Sequence, residues 1–203
     1  MHNVSFTPDA LKRCEDAGRG VMLRFRRFIE DRRGVGAIEF AIVAPLLMMA
    51  YVSAFEVTVA ITASRKVSRA SATISDLLTQ SSSTNKATLD TMKDVVARIV
   101  APFPVKSAYT LKITGIAVAS DGKATVAWSR DQATNTPYTK GSAVTLPADM
   151  EAKDTFIVRT ELTVPYSILL LAPNLDSRLN KINLGRTSYF RQRVGKKIDC
   201  SDC

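Results

Sequence analysis

The sequence predicts an α+β protein: one N-terminal transmembrane helix continuing into an amphipathic stalk, then a helix packed on an antiparallel sheet of about four strands. Three observations carry this expectation. Residues 35–63 form a stretch of twenty-nine positions interrupted only by Glu39 and Glu56. Apolar residues then recur at helical spacing, from Val67 to Leu78 and again from Leu89 to Ile99. From Tyr109 onward they alternate with polar ones, and Asp121-Gly122 separates two such runs.

The apolar segment comes first in the argument because it sets the class. At ~1.5 Å of rise per residue, a helix over 35–63 is longer than the ~30 Å hydrocarbon layer of a bilayer. A secretory signal fits poorly, because the segment begins more than thirty residues into the chain and exceeds the ~7 to 15 apolar residues such signals use. Arg24, Arg26, Arg27, Arg32 and Arg33 precede it, against Arg65, Lys66 and Arg69 after it. Cytoplasmic flanks are enriched in Lys and Arg, so the N-terminus is expected in the cytoplasm and the larger C-terminal part outside it. Pro45 softens the helix, and Glu56 is expected to be a solvated carboxylate near the far interface. The expected divisions are a basic cytoplasmic leader over 1–34, the membrane helix over 35–63, a stalk helix and polar loop over 64–84, and an exported α+β domain over 85–203.

Beyond the span, Val67, Ala70, Ile74 and Leu77 or Leu78 share one helix face. The run Gln80 to Asn85 breaks it as a polar loop. A second helix starts near Asn85, passes Leu89, Met92, Val95, Val96 and Ile99, and is stopped by Pro102. One β-rich run is expected from Tyr109 through Ala119. A tight turn at Asp121-Gly122 then leads into Lys123 to Ser129. After a long loop containing Pro137, Gly141 and Pro147, strand character returns in Thr155 to Val164 and in Thr187 to Val194. Ser167 to Leu171 is an apolar run read as core, with an extra apolar contact surface as the alternative.

Composition excludes several classes. With 46% hydrophobic residues the chain is neither disordered throughout nor collagen-like. The net charge of +9 is spread along the chain rather than gathered in an arm, and no aromatic cluster interleaves with arginine, so nucleic acid is not an expected partner. The chain's single histidine is His2, on the cytoplasmic tail, which leaves no His-dependent triad or His-rich metal site for the exported domain. Asp149 and Glu151 read as solvated loop carboxylates. No catalytic residue, cofactor or metal is expected. Cys14 stands alone, whereas Cys200 and Cys203 form a terminal Cys-x-x-Cys; outside the cytoplasm they are a candidate disulfide, within one chain or between subunits, ahead of a zinc ligand pair.

Glu39 is the odd residue, since a carboxylate in hydrocarbon costs several kcal/mol unless paired. It stands in Arg32-Arg33-Gly34-Val35-Gly36-Ala37-Ile38-Glu39-Phe40-Ala41. This stretch resembles the processing site of Flp-type prepilins, in which a membrane-embedded peptidase cuts after glycine and leaves glutamate as the fifth mature residue, followed by an aromatic. The resemblance implies a cut between Gly34 and Val35, with Glu39 and Phe40 completing the site. It also implies that a neighbouring subunit's new ammonium neutralises Glu39.

Farther along, Ala127-Trp128-Ser129-Arg130, Gly141-Ser142-Ala143-Val144-Thr145-Leu146-Pro147, Glu161-Leu162-Thr163-Val164-Pro165-Tyr166 and Tyr189-Phe190-Arg191-Gln192-Arg193 occur in the order seen in TadE/TadG-like proteins of tight-adherence pilus machinery. What that resemblance implies is a non-enzymatic minor pilin or pseudopilin of the bacterial inner membrane with a periplasmic domain. Its partners would be other pilin-like subunits, pilus assembly proteins, the prepilin peptidase and membrane lipid. The alternative is a membrane-tethered envelope enzyme or ligand-binding module.

Overall fold

The computed structural model describes residues 34–103, 109–150, 152–168 and 181–203. The chain divides into two compact units, 1–51 and 52–203. In the first, the described residues are helical from Val35, and their large apolar side chains, among them Ile38, Phe40, Leu47 and Tyr51, are exposed. They belong to helix α1, Val35–Thr79, which carries Pro45 and is long and apolar enough to cross a membrane. Its apolar window is not buried inside the described structure, unlike the core helix of a soluble domain.

In the second unit the elements run, after α1, β1 (Ser83–Thr84), α2 (Lys86–Val100), β2 (Thr110–Val118), β3 (Ala124–Asp131), a 3-10 turn at Ala148–Met150, β4 (Thr155–Ser167), β5 (Lys181–Arg191) and β6 (Asp199–Cys200). The main sheet has the order β3-β2-β4-β5, with every neighbour antiparallel. The expected α+β architecture, a helix on a four-stranded antiparallel sheet, is what the chain forms. A short parallel pair, β1 with β6, is additional.

Helix α2 begins where the sequence places it. Asn85 has extended backbone, and its Oδ1 accepts a hydrogen bond from Thr88 N at 2.8 Å, satisfying one of the amides that the first turn leaves open. Leu89, Met92, Val96 and Val100 then fall on one face and are buried. On α1 the buried face is Ala63, Val67, Ala70, Ile74 and Leu78. Leu78, 4% exposed, enters the core, while Leu77, 43% exposed, does not. The sheet face that meets the helices supplies Leu111, Ile113, Trp128, Phe156, Val158, Leu162 and Val164. Burying each large aliphatic side chain is worth about 1.5–3 kcal/mol. The opposite face carries a smaller cluster, Ile116, Val118, Leu146 and Ile157, under the long loop that follows β3.

The β2–β3 hairpin closes at Asp121-Gly122. Gly122 has φ +87°, and Asp121 Oδ1 accepts from Lys123 N at 3.0 Å. A bulge follows, since Gly115 pairs with Trp128 and Ile116 with Val126. At the bulge the Trp128 indole lies across Gly115, and a Cβ there would come within 2.4 Å of Cε2.

Two expectations need correction. The last strand is Lys181–Arg191 rather than 187–194. Asn183 and Gly185 break the apolar alternation that marks a strand, yet both sit in the ladder opposite Pro165 and Thr163. After Arg191 the chain leaves the ladder, and Arg193 N donates to Thr79 O at 3.1 Å. Glu56 is not a solvated carboxylate: it is 5% exposed and buried in the second unit. Of the run read as core, Ser167 is exposed and Ile168 half-buried, and 169–171 lie outside the described residues. Pro165 is accommodated because β2 ends opposite Thr163, so β4 from Val164 onward has β5 as its sole sheet neighbour.

Trp128 is the chain's single tryptophan, so its emission reports on this packing directly. Gly115→Ala is expected to force the indole aside, lowering stability by about 1–3 kcal/mol. Thermal unfolding of the detergent-solubilised chain, followed by tryptophan fluorescence, checks this; an unchanged melting curve would contradict the close approach.

Candidate functional site

The residues singled out from the sequence fall in three places. Gly34, Val35, Glu39 and Phe40 lie at the start of α1. All four are exposed, and a Cβ built on Gly34 meets nothing within 4 Å. A glycine here is thus not required by packing within the described chain. Cys200 and Cys203 are at the other end of the sequence, where the structure records their sulfurs joined as a disulfide. His2 and Cys14 lie outside the described residues, as does Glu151; Asp149 is exposed.

The third place is one that sequence reasoning undervalued. Glu56 Oε1 accepts a hydrogen bond of 2.9 Å from the hydroxyl of Tyr166, which is itself 7% exposed on β4. The ring of Tyr166 meets Phe103 edge-on, with centroids 6.4 Å apart. One turn after Ala63, Lys66 Nζ donates to the carbonyl of Ala101, just past the end of α2. On the same helix, Ser64 Oγ accepts from Arg186 Nη2 at 3.0 Å. Ser71 is hydrogen-bonded to Ser188 at 2.8 Å, and Ser75 Oγ donates to Thr160 Oγ1 at 2.8 Å. Arg193 and Asp76 form an ion pair at 2.7 Å. A row of polar contacts from Glu56 to Asp76 therefore fastens α1 to β4, β5 and the segment after β5. The signal available in the sequence was Glu56 itself, a carboxylate in an apolar segment; its partner, 110 residues away, could not be read from spacing.

The motif pieces behind the family resemblance also have structural duties. Trp128 packs on Phe156, and its indole N–H donates to the Ile198 carbonyl at 2.9 Å. Ser129 lies beside Thr114. Arg130 donates through both Nε and Nη2 to the carboxylate of Asp90 at 2.8 Å, tying β3 to α2 in a bidentate pair. That hydrogen bond is the main reason the Asp90 carboxyl is held below the usual range. Gly141, at φ +82°, turns the chain so that its N–H donates to Val126 O at 2.8 Å, and Val144 N donates to Ala124 O at 3.0 Å. The Gly141 to Pro147 stretch thus pairs with the outer side of β3 and delivers Leu146 to the second core. On the same loop the Tyr138 ring lies against Arg159, whose Cζ is 4.7 Å from its centroid, and the hydroxyl donates to Glu161 at 2.8 Å.

Taken together, a helix long and apolar enough to cross a membrane continues into the sheet-bearing part of the chain, a layout consistent with a single-pass membrane protein. Residues 34–75 match the model of the TadE-like protein family, so the likeness is to that stretch of the chain. The matched segment covers the candidate processing residues and the helix as far as Ser75, and stops before the sheet. No curated protein and no solved structure matches the chain.

Burial, followed by the hydrogen bond to Glu56, pushes the Tyr166 phenol up to about 12. The unfolded chain releases the same proton near pH ~10. The native state therefore holds that proton longer. Its contribution to stability is complete below pH ~10 and is lost as the pH climbs towards 12. Tyr166→Phe is expected to cost about 1.5–3 kcal/mol at neutral pH by removing a donor from a buried carboxylate. It should also flatten the alkaline loss of stability. Denaturant unfolding at pH 7 and through the alkaline range, wild type against variant, measures both effects; parallel pH profiles would show that the pair contributes nothing.

Proposed function

We propose that this chain is a minor pilin or pseudopilin of a tight-adherence pilus or secretion machinery. In this reading it is held in the bacterial inner membrane by α1, with its N-terminus in the cytoplasm and its α+β unit in the periplasm. The observation that carries the reading is the TadE-like match beginning at Gly34, the residue after which the prepilin-like cut would fall. Gly34 and Val35 are open to a protease, and Glu39 follows one helical turn into the apolar segment. A new N-terminal ammonium on a neighbouring subunit's Val35 would neutralise Glu39 where hydrocarbon leaves a lone charge costly. The exposed apolar side chains of the helix would pack on lipid and on other pilin-like helices. The exported unit would meet pilus assembly proteins.

Two measurements test this. Protein extracted from membranes of a host that has the prepilin peptidase should begin at Val35, and Gly34→Leu should abolish that processing. An intact Met1 chain in both would remove the cleavage and leave a permanently anchored subunit. For topology, protease added outside spheroplasts should degrade the α+β unit; its survival until the membrane is dissolved would reverse the proposed orientation.

A further inference from the structure

The end of the chain forms a strap across the α1–α2 turn. Ile198 is buried in the main core, and its carbonyl receives the Trp128 indole N–H. Beyond it the side chains of Asp199, Ser201, Asp202 and Cys203 are exposed, and Cys200, partly buried, is the last residue packed against the main core. The rest of the strap is held by single hydrogen bonds. Asp199 N donates to Ser82 O at 3.1 Å and Ser201 N to Thr84 O at 3.4 Å, the two ends of the β1–β6 pairing. Asp202 Oδ1 then accepts from Lys86 N, the first residue of α2, at 2.8 Å.

That last contact meets a need of the helix. Asn85 satisfies the amide of Thr88, and Lys86 N requires an acceptor of its own at the positive end of the helix. Asp202 supplies one, with a negative charge, from the far end of the sequence. Isolated surface hydrogen bonds fray readily. The Cys200–Cys203 bond encloses Asp202 in a four-residue ring whose first member, Cys200, is paired with Thr84.

We propose that Cys200 and Cys203 are an oxidative modification site that locks this strap, holding Asp202 as the cap of α2. Their reaction partner would be an exported protein disulfide with a dithiol–disulfide couple; this rests on the periplasmic placement proposed above. Cys203, the more exposed thiol, attacks the partner's disulfide as thiolate, forming a mixed disulfide and displacing one partner thiolate. Cys200 then attacks the Cys203 sulfur, displacing the second. One S–S bond forms in this chain and one breaks in the partner. The two electrons and, after protonation, the two protons end on the partner's dithiol.

The test uses the full chain carrying Cys14→Ser, purified in detergent. Amide exchange is compared in the disulfide form, after reduction with dithiothreitol, and in a Cys200→Ser, Cys203→Ser variant. The amides of Lys86, Asp199 and Ser201 should exchange roughly tenfold faster in both disulfide-free forms, while Trp128 emission stays unchanged. Asp202→Ala in the disulfide form should speed Lys86 and leave Asp199 slow. Equal exchange in all forms would overturn the lock. So would a red shift of Trp128 on reduction, because the disulfide would then be holding the whole core. Alkylation of the thiols in intact cells separates the compartment question: thiols found free there, with slowed exchange in the purified disulfide form, would overturn the exported placement and leave the lock standing.

Discussion

Between Ala63 and Thr79 the anchoring helix is also a layer of the folded unit, and the close contact it makes with the sheet is what the remaining structure is arranged around. Ala70, Ser71 and Ser75 are fully buried. Small side chains allow the helix backbone to approach the strands, and the hydroxyls that come with them must then be satisfied. Ser75 and Thr160, both fully buried, satisfy each other; Ser71 and Ser188 do the same one turn earlier. Val67, Ile74 and Leu78 fill the space on either side. Remove this helix and the sheet face bearing Val158, Leu162 and Val164 would be uncovered, so the α+β unit cannot be regarded as a domain merely tethered to its helix. The anchor and the core share one element.

The polar fastenings have a directional consequence. Glu56, Ser64, Ser71, Ser75 and Asp76 engage β4, β5 and the segment after β5, the half of the sheet farthest from the β2–β3 hairpin. Each is modest alone, and those near the surface contribute least. Distributed over five turns of helix, they fix its register on the sheet, because sliding by one residue would misplace all of them together.

Trp128 performs the corresponding duty at the other end of the sheet. It fills the space above Gly115, packs on Phe156 and receives the chain terminus through Ile198. The Trp-Ser-Arg piece of β3 is thereby used at every position: the indole holds the C-terminal strap, the serine faces Thr114, and the arginine holds α2 through Asp90. This piece of the family resemblance serves here to join β3 to β2, α2 and the C-terminal strap.

The sequence alone determined the apolar anchoring helix, the amphipathic faces of both helices, the cap at Asn85, the Asp-Gly hairpin and the sheet's approximate strand count. Each depends on residues within a few positions of one another, where periodicity and turn chemistry act directly. It also placed Gly34, Glu39 and the terminal cysteines as the residues to examine, because a charge in an apolar run and a Cys-x-x-Cys stand out locally. Tertiary structure decided what depends on long-range pairing. β5 is a strand because β4 offers it a ladder, despite Asn183 and Gly185. Glu56 is buried because Tyr166 meets it from 110 residues away, and Asp202 caps α2 from 116 residues beyond Lys86. Such contacts leave no period in the sequence, since their free energy arises only when distant segments have already been brought together.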